Sequence, residues 1–290
     1  MWAAIAARIS EASGRDFEMQ GQQAVAGGCI NSASRLTGRD GRRYFVKFNT
    51  ADGLEMFEAE ADGLRELAGA DAIRVPAPLC SGVAGGQAFL VMEDLALGGA
   101  GSMAAFGRQL AALHRHRQER FGWWRDNTIG ATPQVNEQAA DWFDFWRRRR
   151  LGFQLQLARQ RGAGRSLLDK GERLLADFEG LFAGYRPEAS LLHGDLWSGN
   201  YAFTREGEAV IFDPAVYYGD READIAMTEL FGGFSGAFYD AYEEVWPLDA
   251  GYGVRKTFYN LYHILNHFNM FGGGYGAQAE GMIGRLLAEI

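Results

Sequence analysis

The spacing of the apolar residues shifts from mainly strand-like to mainly helical at about residue 100 of this 290-residue chain, and this change restricts the possible fold most strongly. Glycine-containing turns separate three segments rich in strand-forming residues, which are 17–26, 31–37 and 42–49. From about residue 100 the spacing is helical, interrupted only by apolar strands around 191–213. We therefore predict a two-lobed α+β fold. An N-terminal antiparallel β-sheet lobe with one main helix would span residues 1–94, and a larger, mainly helical lobe residues 95–290.

Charge and composition exclude several classes of protein. A net charge of −8 argues against a nucleic-acid partner, because neutralising phosphates requires clustered Lys and Arg. No segment reaches the roughly 18 consecutive apolar residues of a membrane span, and the first residues lack the pattern of a signal peptide. The two cysteines, Cys29 and Cys80, are too few for a disulfide framework. We therefore expect a cytoplasmic protein that binds neither membranes nor nucleic acids.

A lysine and a glutamate are predicted to meet inside the first lobe. In RRYFVKFN, Lys47 shares one face of a strand with Phe45, an unusual place for a cation without a partner. The following segment, LEMFEAEADGLREL, has helical spacing, and Glu60 lies at the edge of its apolar face. We predict an ion pair between Lys47 and Glu60.

The segment LLHGDLWSGN, residues 191–200, predicts a polar loop after a buried strand. Its H-x-D-x4-N spacing is that of the protein-kinase catalytic loop, with Gly194 in place of Arg, and it contains Asp195 and Asn200. In VIFDPA, Asp213 follows a second apolar strand, where kinases have the metal-binding Asp of D-F-G. This constellation is too specific for a chance match.

These residue types satisfy the requirements of phosphoryl transfer from ATP. The reaction needs one carboxylate to orient the acceptor hydroxyl, and a second carboxylate with an amide oxygen to hold Mg²⁺. Lys47, Glu60, Asp195, Asn200 and Asp213 occur in the order in which kinases use such groups. We therefore predict an ATP-dependent phosphotransferase with ATP and Mg²⁺ as cofactors.

The segment AVAGGCINSAS is a candidate phosphate loop, although it lacks G-x-G-x-x-G. Gly27 and Gly28 would let backbone N–H groups approach the phosphates, but Gly-Gly is equally a plain hairpin turn. Cys29 is either a small buried hydrophobe or an exposed thiol beside a cation-rich site, where oxidation would be favoured. We hypothesise that Cys29 makes the protein redox-sensitive; a monomer and a homodimer, including a redox-dependent one, both stay open.

The sequence around these residues resembles that of the fructosamine kinase (ketosamine-3-kinase) family. HGDLWSGN, with its Trp197, is similar to that family, and H-G-D with D-P points away from protein kinases towards small-molecule kinases of the same fold. Four other segments carry the resemblance: GGCIN (27–31), FGWWRDNTIGATPQVN (121–136), YYGDREADIAMTELFGGF (217–234) and YNLYHILNHFNMFGGGY (259–275). Together they extend from about residue 20 to the C-terminal helices.

The resemblance implies a protein-kinase-like fold and ATP-dependent phosphorylation of the sugar 3-hydroxyl of ketosamines. These are fructosamine or ribulosamine adducts on small amines or on the lysines of glycated proteins. The phosphate destabilises the adduct, which decomposes and frees the amine, so the activity would be deglycation, a form of protein repair. By position, Asp195 resembles the catalytic base, Asn200 and Asp213 resemble the Mg²⁺ ligands, and Lys47 resembles the cation on the ATP phosphates, held by Glu60.

Other positions have implied roles that the residues alone leave open. Met92, Glu93 and Asp94 in VMEDL resemble the hinge whose backbone pairs with adenine. Trp197, close to Asp195, suits either the acceptor pocket or packing. Asp224 would cap a helix or brace the catalytic loop.

Two alternative functions are weighed against a ketosamine kinase. A kinase of the same fold acting on an aminoglycoside or amino alcohol would need acidic residues around its acceptor site, and LWSGN offers none. A catalytically silent nucleotide-binding protein would lack at least one residue of the constellation, which is complete.

Overall fold

The structure is a computed structural model that describes residues 1–25 and 31–290. Residues 26–30 lie outside the described residues, so the expectations for Gly27, Gly28 and Cys29 stay predictions. Within the described ranges, no helix has both the length and the apolar character needed to cross a membrane.

The chain divides into two compact units. The first contains Met1–Gly101 and Tyr201–Pro214, and the second contains Ser102–Asn200 and Ala215–Ile290. The sequence prediction ended the first lobe after Asp94 and did not include the later segment. The grouping differs because that segment forms a hairpin that hydrogen-bonds with residues of the first unit.

Five antiparallel strands form the sheet of the first unit, in the order β1–β2–β3–β5–β4. Their bounds are Met19–Val25 (β1), Ser32–Gly38 (β2), Arg43–Thr50 (β3), Pro78–Ala84 (β4) and Gln87–Glu93 (β5). The predicted turn at Asp40-Gly41 joins β2 to β3, and Gly41 adopts the positive φ of 84° that glycine tolerates. Because β3 pairs with both β2 and β5, Lys47 lies on a central strand.

Two helices pack with this sheet: α1 (Trp2–Ser13) and α2 (Leu54–Gly69). The sequence indicated α2 but not α1. Ile5 and Ile9 of α1 form a buried cluster with Val46 and Phe48 of β3. Since side chains alternate along a strand, Lys47 lies on the opposite face.

The hairpin of the first unit consists of β9 (Tyr201–Phe203) and β10 (Ala209–Ile211). Gly98 N and Gly99 N donate to Phe203 O over 3.0 and 3.2 Å, and Ile211 N donates to Arg74 O over 3.0 Å. These bonds hold the end of β10, and therefore Asp213 two residues later, in a fixed relation to the sheet.

Helices dominate the second unit. They are α3 (Met103–His114), α4 (Trp142–Phe145), α5 (Gly152–Gln160), α6 (Arg165–Asp177), α7 (Arg221–Leu230), α8 (Gly236–Val245), α9 (Tyr252–Phe271) and α10 (Tyr275–Leu286). Two short antiparallel ladders join them, β6 (Asn127–Ile129) with β7 (Thr132–Gln134), and β8 (Ser190–Leu192) with β11 (Tyr217–Gly219).

Helix α9 forms the centre of the second unit. Its residues from Phe258 to Asn266 are all buried, so it is packed on every side rather than on one face. The rings of Trp142 and Trp146 lie within 6.1 and 5.0 Å of Tyr259 in this core. Trp124, by contrast, is 63% exposed, so the tryptophans of the sequence do not share one role.

Candidate active site

Lys47 is buried in the first unit, with 7% of its surface exposed, and it contacts two carboxylates. Its ammonium donates to Glu60 Oε1, so the predicted ion pair is present. It also donates to Asp213 Oδ1 over 2.5 Å, a contact between residues far apart in the sequence. The three side chains form one cluster with a single cation and two carboxylates.

The electrostatics of this cluster favour a charged lysine. Burial alone would lower the pKa of Lys47, but the carboxylates of Glu60 and Asp213 outweigh it and raise the pKa above its ordinary value. Burial, together with the nearby Asp213, raises the pKa of Glu60 despite the attraction of the lysine. The excess negative charge of the cluster is a feature that a divalent cation would neutralise.

Asp213 has an uncommon backbone conformation. Its φ of 57° lies in the left-handed region, which aspartate tolerates better than most side chains but at some cost. The buried strand β10 precedes it and Pro214, with its restricted φ, follows it. Its side chain is 45% exposed, so a carboxylate bound to Lys47 still has surface available to a ligand.

The catalytic-loop candidate begins where β8 ends in the second unit. Gly194 has a φ of 83°, and a Cβ atom at this position would lie 2.0 Å from Ala215 O. Ala215 N donates to His193 O over 2.8 Å, which holds the two segments at this separation. The close backbone approach explains why this loop has glycine where protein kinases have arginine.

Asp224 braces the loop from helix α7. Its Oδ2 accepts from His193 N over 2.7 Å and its Oδ1 accepts from Gly194 N over 2.8 Å. His114 Nε2 lies 3.3 Å from Oδ2. Of the two roles weighed for Asp224, the structure shows the bracing one; Asp220 caps α7 by accepting from Glu222 N.

Protonation of this brace follows from its neighbours. Burial would raise the pKa of Asp224, but the hydrogen bond and charge of His114, the charge of His193 and the Gly194 N–H outweigh it, so the pKa lies below its ordinary value. Burial lowers the pKa of His114 in spite of the carboxylate. At neutral pH, therefore, Asp224 is ionised and accepts both loop N–H groups.

Asp195 and Asn200 are hydrogen-bonded within the loop. Asn200 Nδ2 donates to Asp195 O over 2.8 Å and contacts its Oδ2 at 3.3 Å. This leaves the oxygen of the Asn200 amide, Oδ1, as the atom with the chemistry of a metal ligand. Asp195 N lies 3.3 Å from His193 Nδ1, so the fully buried histidine supports the loop.

A polar hairpin that was not predicted from the sequence holds the segment after Pro214, which in turn contacts this loop. In β6 and β7, Asn127 Nδ2 donates to Val216 O over 2.8 Å and Gln134 Nε2 donates to Ala215 O over 3.0 Å. Tyr262 OH of α9 donates to Gln134 Oε1 over 2.7 Å. The available signal was the pair of amides in DNTIGATPQVN, since buried amides occur where carbonyls need partners.

The hinge candidates lie at the end of β5 and beyond. Met92 is buried and pairs with Phe45. The Glu93 side chain pairs with Arg74, and Asp94 Oδ1 accepts from Arg35 Nε over 2.7 Å. The Asp94 carboxylate is thus occupied by a cation, and the pairing of Met92, Glu93 and Asp94 with adenine stays a prediction.

The chain is similar to known proteins over nearly its whole length. A model of the fructosamine kinase family matches residues 1–289. The chain is 48% identical to "Probable ketoamine kinase" of Synechocystis sp., over 99% of this chain and 97% of that one. It is 44% identical to the chloroplastic protein-ribulosamine 3-kinase of Oryza sativa, over 93% of this chain and 80% of that one.

Solved structures confirm the predicted architecture. The crystal structure of a "Putative fructosamine-3-kinase" from Haemophilus somnus has a TM-score of 0.90 at 30% identity, covering 99% of this chain and 98% of that one. An aminoglycoside phosphotransferase has a TM-score of 0.62 at 16% identity, covering 98% of each chain, which shows a shared fold alone. The protein-kinase-like α+β fold is therefore confirmed.

Proposed function

Because the chain belongs to the fructosamine kinase family, we propose that it transfers the γ-phosphoryl group of ATP to the sugar 3-hydroxyl of a ketosamine. The acceptors would be ribulosamine or fructosamine adducts on small amines or on protein lysines. The new phosphate would make the adduct decompose and free the amine, so the result would be deglycation. The observation that carries this proposal is the H-G-D-L-W-S-G-N loop, whose Asp195 is held by Asn200 and whose backbone is held by Asp224.

In the second unit, we assign Asp195 to the acceptor hydroxyl. The bond from the hydroxyl oxygen to the γ-phosphorus forms as the bond from that phosphorus to the β–γ bridging oxygen breaks, and the hydroxyl proton passes to the Asp195 carboxylate. The Asn200 and Asp224 hydrogen bonds fix the loop before the acceptor arrives. Fixed positioning is the main contribution that a protein makes to this reaction.

The two positions that resemble the metal ligands of the family carry oxygen donors of the kind that Mg²⁺ prefers. Asn200 contributes an amide oxygen and Asp213 a partly exposed carboxylate, and we assign both as ligands. No group of three or more His, Cys, Asp or Glu side chains in the described ranges could hold a metal ion. Mg²⁺ commonly takes one or two protein carboxylates and completes its shell with phosphate and water oxygens. When bound, the ion would neutralise charge on the ATP phosphates.

In the first unit, Lys47 would bind the phosphates, and Glu60 and Asp213 keep it charged and oriented. The backbone of Met92 to Asp94 would bind adenine. Gly27 and Gly28, the candidate phosphate loop of the sequence, would approach the phosphates with their backbone, and Trp197 would contact the acceptor. These four assignments rest on the resemblance of each position to the family.

The cellular setting also stays a proposal. We expect the protein to act in the cytoplasm on free ketoamines or glycated proteins, as a monomer or a homodimer. Redox control through Cys29 is a hypothesis that a Cys29→Ala variant under peroxide would test.

The experiment that tests the function is Mg²⁺-dependent ATP consumption with ribulosyl-lysine, fructosyl-lysine, kanamycin, choline and no acceptor. We expect turnover with the two ketoamines, and we expect Asp195→Asn to lower kcat by about 10²-fold or more, because the acceptor for the hydroxyl proton is lost. Turnover with kanamycin or choline alone would move the assignment to the alternative substrate class. Equal activity of Asp195→Asn would indicate a contaminating kinase.

A further inference from the structure

A chain of aromatic side chains continues from the Asp195 loop across the second unit. The ring of Trp197 lies 6.1 Å from that of Phe231, edge-on, and Phe231 lies 5.1 Å from His267. His267 in turn contacts Phe271 at 5.7 Å and Tyr275 at 5.1 Å. We call these five side chains the aromatic surface.

Four separate parts of the chain build the aromatic surface. Trp197 comes from the catalytic loop, Phe231 directly follows α7, His267 and Phe271 lie in the last turns of α9, and Tyr275 begins α10. These rings are partly exposed, with 37% for Trp197 and 58% for Phe271. Single exposed aromatic residues are ordinary, but a contiguous row that begins two residues from a catalytic carboxylate is characteristic of a binding site.

Nearby glycines leave space around the aromatic surface and let the Trp197 indole pack on the loop backbone. A Cβ atom at Gly199 would lie 2.4 Å from the Trp197 indole, so the indole packs directly on the loop backbone. At Gly232 and Gly272, beside Phe231 and Phe271, a Cβ atom would meet nothing within 4 Å. The row is therefore bordered by glycines with open space around them.

His267 gives this surface a hydrogen-bonding nitrogen. Its Nδ1 lies 2.8 Å from His263 O, and because a carbonyl can only accept, Nδ1 must carry the proton. In the neutral ring, Nε2 is then a hydrogen-bond acceptor. An acceptor among aromatic faces suits a ligand that is a cation with an N–H group and an attached hydrocarbon chain.

The amine side of a ketosamine has this chemistry. The amine nitrogen is bonded to C1, two carbons from the C3 that carries the reacting hydroxyl, and as a secondary amine it is protonated near neutral pH. A 3-hydroxyl at Asp195 therefore leaves the ammonium within a few bonds, close to Trp197. In a lysine adduct, four methylenes then lead away from the ammonium.

We propose that the aromatic surface is the subsite for the amine carrier of the ketosamine. The ammonium lies against the ring faces near Trp197 and Phe231, and His267 Nε2 accepts a hydrogen bond from the amine side. The methylenes of the lysine pack on Phe271 and Tyr275. This inference rests on the proposed function and specifies which part of the substrate each side chain recognises.

Phe271 is the position for the test, because it is exposed at the end of a helix and its truncation leaves the core unchanged. We would measure kcat/KM for the ribulosamines of Nα-acetyllysine amide and of methylamine, which share the sugar and the ammonium but differ in the carrier. For Phe271→Ala we expect about a tenfold loss with the lysine adduct and about a twofold loss with the methylamine adduct. KM for ATP should change little.

Two further variants separate the possible causes. Phe271→Leu keeps apolar area and should recover part of the lysine-adduct activity, since its contact there is with methylenes. Val245→Ala, which removes an exposed apolar side chain from α8, should leave the ratio of the two adducts unchanged.

The outcomes distinguish this inference from the function beneath it. Ketoamine turnover by the wild type, with equal losses for both adducts in Phe271→Ala, would overturn the carrier subsite and leave the kinase assignment intact. Absence of turnover with every ketoamine would overturn both. A selective loss with the lysine adduct would establish the subsite.

Discussion

Gly194 shows how a single residue sets the geometry of the candidate active site. Its positive φ and the 2.0 Å approach of Ala215 O to a Cβ position are two separate constraints. The first is a conformational preference that costs a non-glycine residue about 1 kcal/mol or more. The second is a collision with backbone, which cannot be relieved by rotating a side chain. The loop that carries Asp195 therefore depends on the absence of a side chain one residue earlier.

We expect Gly194→Ala to lower kcat by about 10²-fold and to destabilise the fold, because the loop must move to relieve the contact with Ala215. Gly162→Ala is a matched control, since Gly162 has a φ of 80° but nothing within 4 Å of its Cβ position. It should cost stability only. Steady-state kinetics and urea unfolding of both variants would test this, and equal kcat values for the two would contradict the steric explanation.

At the scale of elements, helix α7 and the candidate catalytic loop are joined through Asp224. The carboxylate accepts two backbone N–H groups and contacts His114 of α3, so one side chain links three elements. A buried carboxylate that accepts several hydrogen bonds stabilises the fold only while it is ionised. The sign of its effect on stability follows from its lowered pKa.

A carboxylate with a lowered pKa in the folded state stabilises the fold fully above its unfolded pKa of about 3.9, and that contribution is lost as pH falls through the folded value. We expect Asp224→Asn to be less stable than wild type above about pH 5, with a difference that shrinks as the pH falls below 4. Its kcat should also fall, because the amide cannot accept both N–H groups.

Unfolding free energies between pH 2 and 7 would measure this effect. Asp240→Asn, a change of the same type at an exposed position of α8, is the control and should differ little from wild type at any pH. A wild-type minus Asp224→Asn difference that does not vary with pH would show that the charge of Asp224 is not the cause.

At the scale of the whole molecule, the cluster around Lys47 connects ligand binding to stability. Glu60 contacts Lys47 from helix α2, and Asp213 contacts it from the segment after β10. The cluster therefore connects the two chain segments that make up the first unit. A ligand that binds only the folded chain adds to its stability according to its concentration relative to Kd, about 2.7 kcal/mol at 100 times Kd.

We therefore expect ATP with Mg²⁺ to raise the unfolding temperature, and EDTA to remove most of the increase. In Asp213→Asn, the increase produced by ATP with Mg²⁺ should be smaller than in wild type, because the change removes one proposed metal ligand and one partner of Lys47. Thermal unfolding with and without each ligand would measure the effect. A full increase in Asp213→Asn would contradict the assignment of Asp213 to the metal, whereas Asp240→Asn should respond like wild type.

Whether a contact could be predicted from the sequence depends on how far apart its two residues lie along the chain. The Lys47–Glu60 pair was predictable because a strand and the helix after it have regular periods that place both residues inward. Helix α1 was missed because its alanine-rich sequence gives a weak pattern of its own, and its packing on Val46 and Phe48 defines it.

The sequence by itself determined the change from a strand-rich to a helical part of the chain, the family and the identity of the charged groups, since these depend on local spacing and on motifs. Only the tertiary structure decided which distant residues meet: Asp213 at Lys47, Asp224 at the loop N–H groups, and Phe231 with His267 beside Trp197. Local periodicity indicates which face of an element is buried. It does not indicate which other element covers that face, because that depends on the packing of the whole chain.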